Sequence, residues 1–279
     1  MGFWIGEASE KLGYRLELWA ERVIAEAVSD HNLRIVIAET DRFGKVLVLG
    51  DGEDAALQYS DRWDFYEEAL AHVPLAAHPS PKRVLIIGGG DGAVLREVLK
   101  HPEVERITLV EIDAKVVELC RRHLDHGHVF DDERTELVIA NGSQFISQHK
   151  AEFDVILGDY SDPYEGMPAY ALLADSFYLD CREALKDGGI VALQAGSPIF
   201  QPEITRRVYR GLAGCFADVD LYFSPMPIYP GGLWVYAVAS LGPDVRTPLR
   251  ETTGTRFYNS RIHACLFDLF RMEFLQEPG

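Results

Sequence analysis

The rhythm of hydrophobic and polar positions changes near residue 63. Before that point, Leu33–Glu39 and Lys45–Leu49 are two strand-like runs separated by a short loop that ends at Gly44. Such runs around a glycine-containing loop predict a β-hairpin. Upstream, Trp19–Val28 fits either a further strand or a short amphipathic helix, because its periodicity favours neither. Residues 1–62 are therefore predicted to form a small β-domain that begins after a short leading segment.

From residue 63 onward, apolar runs alternate with stretches of helical pattern. The apolar runs are Val84–Ile87, Ile107–Val110, Leu137–Ala140, Val155–Leu157, Ile190–Leu193, Val219–Tyr222 and Val235–Ala239. The helical stretches include Ala93–Lys100, Ala114–Leu124, Asp175–Leu185 and Glu203–Phe216. Strands that alternate with helices predict a mostly parallel sheet covered by helices on both faces. Residues 63–279 are thus predicted to form a second domain, of the α/β class, around a seven-stranded sheet.

In sheets of this class, ligands bind beyond the carboxyl ends of the strands. The first apolar run is followed by Gly88–Ala93, which reads GGGDGA and fits the G-x-G-x-x-A fingerprint of dinucleotide sites. Asp91 argues against a nicotinamide or flavin enzyme, because its carboxylate would repel a pyrophosphate on this turn. A ligand with an ammonium or sulfonium group fits the loop better. The alternative interpretation is that Asp91 only caps the helix that follows.

Polar side chains also follow the second and third apolar runs. Glu111 is well placed to accept hydrogen bonds from both hydroxyls of a ribose. Asp113 is predicted to cap the helix from Ala114 onward. Asn141, followed by Gly142, could read the edge of an adenine, although this signal alone is weak. These positions together favour a nucleoside site at one edge of the sheet.

Two carboxylates, Asp159 and Asp162, follow the fourth apolar run, and Pro163 fixes the turn after them. A pair of acids is costly in such a place unless it meets a cation or moves a proton. An Asx turn would explain one of the two carboxylates but not easily both. This pair is therefore predicted to be functional.

Charge and cysteine content narrow the class of protein. The chain has 27 Lys and Arg against 44 Asp and Glu, a formal net charge of −17, which argues against a general nucleic-acid binder. Its four cysteines form no C-x-x-C motif, the first residues lack the pattern of a signal peptide, and no apolar run approaches bilayer length. A cytoplasmic protein that does not enter membranes is expected.

Three histidines, His123, His126 and His128, lie close together in a polar loop and could suggest a metal. No cysteine accompanies them, so solvated histidines are the favoured interpretation and no metal site is predicted.

The motifs resemble, in identity and order, those of the polyamine aminopropyltransferases, above all the spermidine synthases. The residues that carry the resemblance are Leu70–Leu75, Val84–Gly92, Leu95–His101, Glu111–Asp113, Asp159–Pro163 and Tyr229–Gly231. The resemblance implies a Rossmann-like domain of the class I methyltransferase type behind the small β-domain, assembled as a homodimer or homotetramer. It further implies transfer of an aminopropyl group from decarboxylated S-adenosylmethionine to a primary amine such as putrescine, which releases methylthioadenosine. Decarboxylated S-adenosylmethionine is then a co-substrate, and no permanently bound cofactor is expected.

The resemblance also implies a role for each candidate residue. Asp159 would be the general base, and Asp162 would orient the reacting groups. Asp91 would hold the ammonium of the donor, and Glu111 its ribose hydroxyls. The donor pocket would be completed by Gly88, Gly90, Asn141 and Gly142. Further substrate contacts would come from Gln58, Tyr66, Gln194 and Tyr229.

The sequence departs from the family pattern mainly where the acceptor amine would bind. Trp63 replaces an acid, Tyr160 replaces a small residue, and Gly196 stands where some members have an acid. Near the donor, Glu67 replaces a His or Gln. The turn that precedes Gln58 is also several residues longer than usual. We therefore expect an unchanged donor and leave open whether the acceptor is putrescine or another di- or polyamine.

Two other functions remain possible at this stage. One is an N-methyltransferase that uses S-adenosylmethionine and an amine; Asp91 and Glu67 argue against it, because they would repel the donor's carboxylate. The other is a non-catalytic protein that binds nucleosides or polyamines, against which the intact Asp159 and Asp162 argue. The segment 164–168, which is rich in Gly and Pro, is hypothesised to be a lid over the site.

Overall fold

The computed structural model describes residues 2–52, 55–163 and 167–268, which contain two β-sheets. The first sheet is antiparallel and five-stranded, with the strands in sequence order. Its strands are β1 (Phe3–Ser9), β2 (Tyr14–Val28), β3 (Arg34–Thr40), β4 (Gly44–Leu49) and β5 (Ala56–Ser60).

The predicted hairpin is confirmed, since β3 and β4 pair in a register that sets Thr40 opposite Gly44. The ambiguous stretch Trp19–Val28 is a strand and forms most of β2. The leading segment was expected to lie outside the sheet, which is wrong, because Phe3–Ser9 pairs along its full length with β2.

The second sheet has seven strands and confirms the predicted α/β class. In chain order its strands are β6 (Arg83–Gly88), β7 (Arg106–Glu111), β8 (Thr135–Ile139), β9 (Phe153–Asp159), β10 (Leu185–Gln194), β11 (Asp218–Pro225) and β12 (Leu233–Ser240). Across the sheet the order is β11-β12-β10-β9-β6-β7-β8. β12 runs antiparallel to both of its neighbours, β11 and β10, and the other neighbouring pairs are parallel. The strand order reverses beside β6, so β6 and β9 end side by side where such sheets bind ligands.

The helices cover both faces of this sheet. They are α1 (Phe65–Ala77), α2 (Ala93–Leu99), α3 (Ala114–His123), α4 (Gly142–Ile146), α5 (Asp175–Ala184), α6 (Pro202–Ala213) and α7 (Ser260–Asp268). The sequence pattern did not indicate α1, because every residue of this helix except Phe65 is buried. A helix that is buried on all sides shows no polar stripe, and its 3.6-residue period is lost.

The predicted boundary near residue 62 falls in the connection between β5 and α1. The two sheets lie on either side of it, and the division into residues 1–62 and 63–279 stays a prediction. Among the described residues, none of the helices combines the length and the apolar character that a membrane span requires.

Candidate active site

The glycine-rich loop after β6 is held directly against the end of β9. Gly88 pairs with Asp159 across the two parallel strands, and the Gly89 N–H donates to the Asp159 carbonyl at 2.7 Å. Gly88 has a φ of 84°, and a Cβ on it would lie 2.1 Å from the Asp159 carbonyl oxygen. Only glycine fits this approach. The loop and Asp159 therefore form one rigid unit.

The carboxylate of Asp159 has a single hydrogen-bond donor among the described side chains, the hydroxyl of Tyr66 at 2.8 Å. Burial raises the pKa of Asp159 well above its usual range, and the nearby negative charge of Asp91 raises it further. The bond from Tyr66 favours the ionised form and opposes this shift. A cation bound beside Asp159 would restore its negative charge, so the position suits an amine.

Asp91 lies in the loop, with one carboxylate oxygen accepting from the Ala93 N–H at 2.7 Å. This bond is the capping contact that the alternative interpretation expects. It occupies one oxygen, while no described side chain donates to the other. Burial raises the pKa of Asp91 to about 6. The loop acid can therefore cap its helix and still meet a cation.

His126 corrects one expectation from the sequence. It is buried rather than solvated, and its Nε2–H donates to the Asp91 carbonyl at 2.9 Å. Its Nδ1 lies 3.3 Å from the Tyr59 hydroxyl. The polar loop folds back under the glycine-rich loop, a long-range contact that local composition cannot reveal. His128 is exposed, as expected, and His123 is half-buried.

Glu111 ends β7 beside the same loop. Its carboxylate accepts from the Gly90 N–H at 3.1 Å and from the Asp113 N–H at 2.9 Å. A Cβ on Gly90 would lie 2.9 Å from the Glu111 side chain, so glycine at this position leaves room for the acid. Burial raises the pKa of Glu111 to about 7. Asp113 caps α3 through the N–H groups of Lys115 and Val116, as predicted.

Asn141 and Gly142 lie at the end of β8, the next strand of the sheet. The Asn141 amide oxygen accepts from the N–H groups of Ser143 and Gln144 at 3.0 and 3.2 Å and thereby caps α4. A Cβ on Gly142 would lie 2.4 Å from the Ile87 side chain, which explains the glycine. The amide oxygen is engaged by the backbone, and only the amide NH₂ is available to a ligand.

Asp162 is held in place by Gln201. The Gln201 amide donates to its carboxylate at 2.7 Å, and the Gln201 oxygen accepts from the Ser197 N–H at 2.9 Å. Gly196 makes room for this arrangement, since a Cβ there would lie 2.7 Å from the Gln201 oxygen. Gln201 thus fills the space that a side chain at position 196 would need.

The sequence pattern gave no sign that Glu7, from β1, lies near this acid. Glu7 is buried and accepts from the Leu57 N–H at 2.6 Å and from the Tyr14 hydroxyl at 3.0 Å. Burial, together with the negative charge of Asp162, raises the pKa of Glu7 to about 7. Sequence alone could not place Glu7 near Asp162, because the two residues lie far apart along the chain.

Tyr66 and Tyr229 form a wall next to Asp159, with ring centroids 5.4 Å apart. The Tyr229 hydroxyl donates to the Gln58 carbonyl at 2.6 Å, which brings β5 to the site. Gln194 is engaged elsewhere, because its amide donates to the Tyr160 carbonyl and accepts from the Gly196 N–H, both at 3.0 Å.

The remaining departures from the family pattern lie in different places. The Tyr160 ring packs edge-on against Phe177 in the apolar core on the α5 side. Trp63 packs edge-on against Phe65, which stacks on Phe257. Glu67 is buried, and its pKa is raised by burial and by the negative charge of Asp91. Of the hypothesised lid, residues 164–166 lie outside the described residues.

Comparisons with known proteins identify the family of the chain. The family model for the spermine/spermidine synthase domain matches residues 63–247. A polyamine aminopropyltransferase of Caldicellulosiruptor saccharolyticus is 40% identical over 240 residues, 84% of each chain. Polyamine aminopropyltransferase 1 of Pseudomonas aeruginosa is 39% identical over 269 residues, 92% of each chain.

Two solved structures are similar over almost their whole length. The spermidine synthase of Thermotoga maritima superposes with a TM-score of 0.87 and 34% identity, covering 98% of this chain and 93% of that one. A spermidine synthase in complex with the transition-state analogue AdoDATO gives a TM-score of 0.86 and 36% identity, covering 95% and 91%.

Proposed function

The chain belongs to the spermine/spermidine synthase family of polyamine aminopropyltransferases, and we propose that Asp159 is the general base of its aminopropyl transfer. The enzyme moves the aminopropyl group of decarboxylated S-adenosylmethionine, its co-substrate, to an amine and releases methylthioadenosine. The observation that carries the proposal is the half-buried Asp159 carboxylate, which accepts a hydrogen bond from the Tyr66 hydroxyl at 2.8 Å beside the glycine-rich loop.

A base is needed because the acceptor is a cation in solution. A primary amine has a pKa near that of lysine, roughly 10, and is not nucleophilic while protonated. The ammonium binds beside Asp159 and offsets the desolvation that raises the pKa of this carboxyl. Asp159 then takes a proton from the ammonium, and the nitrogen lone pair that this frees attacks the donor.

Bond changes in the transfer balance without any further reactant. The nitrogen of the amine forms a bond to the aminopropyl carbon next to the sulfonium, while the carbon–sulfur bond breaks. Its electron pair neutralises the sulfur, so methylthioadenosine leaves as a thioether. The proton of the amine passes to Asp159. The donor is already activated, and the protein contributes mainly orientation and charge.

The donor binds along the ends of β6, β7 and β8. Gly88 and Gly90 allow its close approach, and Asp91 holds its ammonium through the carboxylate oxygen that Ala93 leaves open. Glu111 receives the ribose hydroxyls. Asn141 and Gly142 face the adenine, with the Asn141 NH₂ as donor.

The acceptor binds on the other side of Asp159. Tyr66 and Tyr229 form one wall of its channel, and Asp162, held by Gln201, meets a second positive charge. The backbone of Gln58 supports Tyr229, and Gln194 supports the channel through the Tyr160 carbonyl. The acceptor is putrescine or another di- or polyamine.

The acidic site argues against the alternative of a methyltransferase, because ordinary S-adenosylmethionine carries a carboxylate. That carboxylate would enter a site that contains Asp91 and Asp159, whose pKa values are already raised by burial. Repulsion of this kind selects the decarboxylated donor. The protein acts in the cytoplasm as a homodimer or homotetramer.

A turnover assay by mass spectrometry tests the proposed function. Decarboxylated and ordinary S-adenosylmethionine are offered in parallel against a panel of di- and polyamines, with wild-type and Asp159→Asn protein. We expect methylthioadenosine only with the decarboxylated donor, one amine that gains an aminopropyl unit, and almost no turnover by Asp159→Asn. Full activity of the variant would overturn the role of Asp159, and S-adenosylhomocysteine with a methylated amine would favour the methyltransferase.

A further inference from the structure

Glu68 is a fully buried residue of α1 that the proposed mechanism leaves unused. Its two carboxylate oxygens accept hydrogen bonds from the backbone N–H groups of three consecutive residues, Arg256 at 2.7 Å, Phe257 at 2.9 Å and Tyr258 at 2.7 Å. A buried carboxylate is stable only where donors of this kind surround it. Glu68 therefore binds this stretch of backbone firmly to α1.

The bonds to Glu68 belong to a longer contact between α1 and the segment 249–258, which follows β12 in the chain. At the other end of the helix, the Arg250 guanidinium donates to the His78 carbonyl at 2.7 Å and to the Pro79 carbonyl at 2.9 Å. The segment 249–258 thus holds α1 at both ends.

The first turn of α1 depends on contacts from outside the helix. Its N-cap residue, Asp64, makes no side-chain hydrogen bond to the helix backbone, and the Asp64 carboxylate accepts from Arg96 at 3.1 Å instead. A side-chain cap is the usual local stabilisation of a first turn. In its place, Phe65 stacks on Phe257, with the ring centroids 4.6 Å apart. The position of this turn is therefore set by other parts of the chain.

The same turn carries Tyr66, whose hydroxyl donates to the Asp159 carboxylate at 2.8 Å. Residues two positions apart on a helix point to different sides. Tyr66 accordingly faces the active site, whereas Glu68 faces the segment 249–258. Because the turn lies between the two contacts, a looser hold at Glu68 would let the Tyr66 hydroxyl move away from Asp159.

We propose that Glu68 is a positioning residue for the proposed base: by binding residues 256–258, it fixes the first turn of α1 where Tyr66 meets Asp159. Its effect on the reaction passes through Tyr66. The bond from Tyr66 favours the ionised form of Asp159, which is the form that accepts a proton. The inference rests on the proposed function, in which Asp159 is the general base.

The pH profile of kcat/KM for Glu68→Gln tests the inference, because a purely structural role would not move it. Glutamine keeps the size of the side chain, but its NH₂ group would face a backbone N–H that the carboxylate oxygen now accepts. With the turn loosened, the bond from Tyr66 weakens and the pKa of Asp159 rises. We expect the acidic limb to move to higher pH by about half a unit to one unit, which lowers kcat/KM on that limb about three- to tenfold.

A double-mutant cycle shows whether the effect passes through Tyr66. In the Tyr66→Phe background, Glu68→Gln should move the acidic limb no further, because the bond on which it acts is already absent. Phe257→Leu is a second variant, which removes the stacking on Phe65 and leaves the backbone bonds to Glu68 in place. It should move the limb in the same direction by a smaller amount, and it carries the test if Glu68→Gln does not fold.

Arg250→Gln is the matched control, because Arg250 holds the end of α1 that is remote from Tyr66. This variant should lower the midpoint of thermal unfolding and leave the acidic limb at the wild-type position. Affinity for methylthioadenosine shows that each variant is folded.

An acidic limb at the wild-type position in both Glu68→Gln and Phe257→Leu would overturn the inference. A shift in Arg250→Gln as large as that in Glu68→Gln would do so too, because it would mean a general loosening of the fold. A further shift on adding Glu68→Gln to Tyr66→Phe would show a route that bypasses Tyr66. The proposed function fails separately, if Asp159→Asn transfers the aminopropyl group at the wild-type rate.

Discussion

The hydroxyl of Tyr66 donates to the Asp159 carboxylate across 2.8 Å and so joins the first turn of α1 to the end of β9. The two residues come from opposite sides of the glycine-rich loop in sequence, and they meet because α1 packs against β9. This bond fixes the direction of the carboxylate and stabilises its ionised form. The proposed base is thus oriented before either substrate binds.

Replacing Asp159 by Asn should remove the base and keep the shape of the site. We expect kcat to fall roughly 10²- to 10⁴-fold, the range of general base catalysis. Affinity for methylthioadenosine should stay near wild type, which separates catalysis from folding. A variant with normal affinity and normal kcat would exclude Asp159 as the base.

The pH dependence of activity in the Tyr66→Phe variant should reveal the effect of the hydrogen bond from Tyr66 to Asp159. Activity falls as pH is lowered, because a protonated Asp159 cannot accept the proton of the amine. Loss of the Tyr66 hydroxyl removes a hydrogen bond that lowers the pKa of Asp159, so that pKa rises. The acidic limb of the kcat/KM profile should therefore move to higher pH. An acidic limb at the wild-type position would contradict this.

Substitution of Gly196 should weaken binding of the acceptor amine by displacing Gln201. A Cβ at Gly196 would lie 2.7 Å from the Gln201 oxygen and disturb the amide that holds Asp162. We expect Gly196→Ala to raise the amine KM several-fold and leave the donor KM unchanged. Gly188→Ala is the matched control, because Gly188 has the same φ of 79° but open space around it.

Both alanine variants should lose stability, by about 1–2 kcal/mol for the left-handed backbone. Thermal unfolding of the two proteins therefore measures the strain they share. If Gly188→Ala raised the amine KM as much as Gly196→Ala, the effect would be global strain and not the displacement of Gln201.

His126 should support the donor loop as a neutral side chain. Burial lowers its pKa to about 4, so it donates to the Asp91 carbonyl throughout the neutral range. His126→Phe keeps the ring but removes that bond, and donor affinity should fall several-fold. The exposed His128→Phe is the control and should bind donor normally. Equal affinities of His126→Phe and wild type would show that the loop needs no such support.

The sequence predicted most of the parallel sheet because each parallel strand contains an apolar run that is followed by a glycine, an acid or an amide residue. It also predicted Asp91, Glu111 and Asp159 as candidates, since such groups follow strand ends in motifs of recognisable spacing, and the structure brings the three carboxylates within electrostatic reach of one another. It could not indicate α1, which is buried on all sides, or the contact between Glu7 and Asp162, which joins distant parts of the chain. Local sequence patterns predict strands and helices, whereas long-range packing decides which side chains come into contact.

The buried network around Glu97 should make folding sensitive to acid. Glu97 accepts from His72 at 3.0 Å, and His72 is 2.9 Å from His101. Burial lowers the pKa of His101 from 6.5 to about 3, while His72 and the cations Arg96 and Lys100 lower that of Glu97 from 4.5 to about 2 against the opposing effect of burial.

In both cases the unfolded chain binds a proton that the folded protein does not. The contribution of this network to the free energy of unfolding should therefore fall as pH decreases from about 6.5 towards 3, first through His101 and then through Glu97. Denaturant titrations at stepped pH measure this slope. His101→Gln can still donate or accept a hydrogen bond but cannot titrate, so the slope between pH 6.5 and 4.5 should flatten. His128→Gln, at an exposed position, should keep the slope. A wild-type slope in His101→Gln would mean that other groups control acid unfolding.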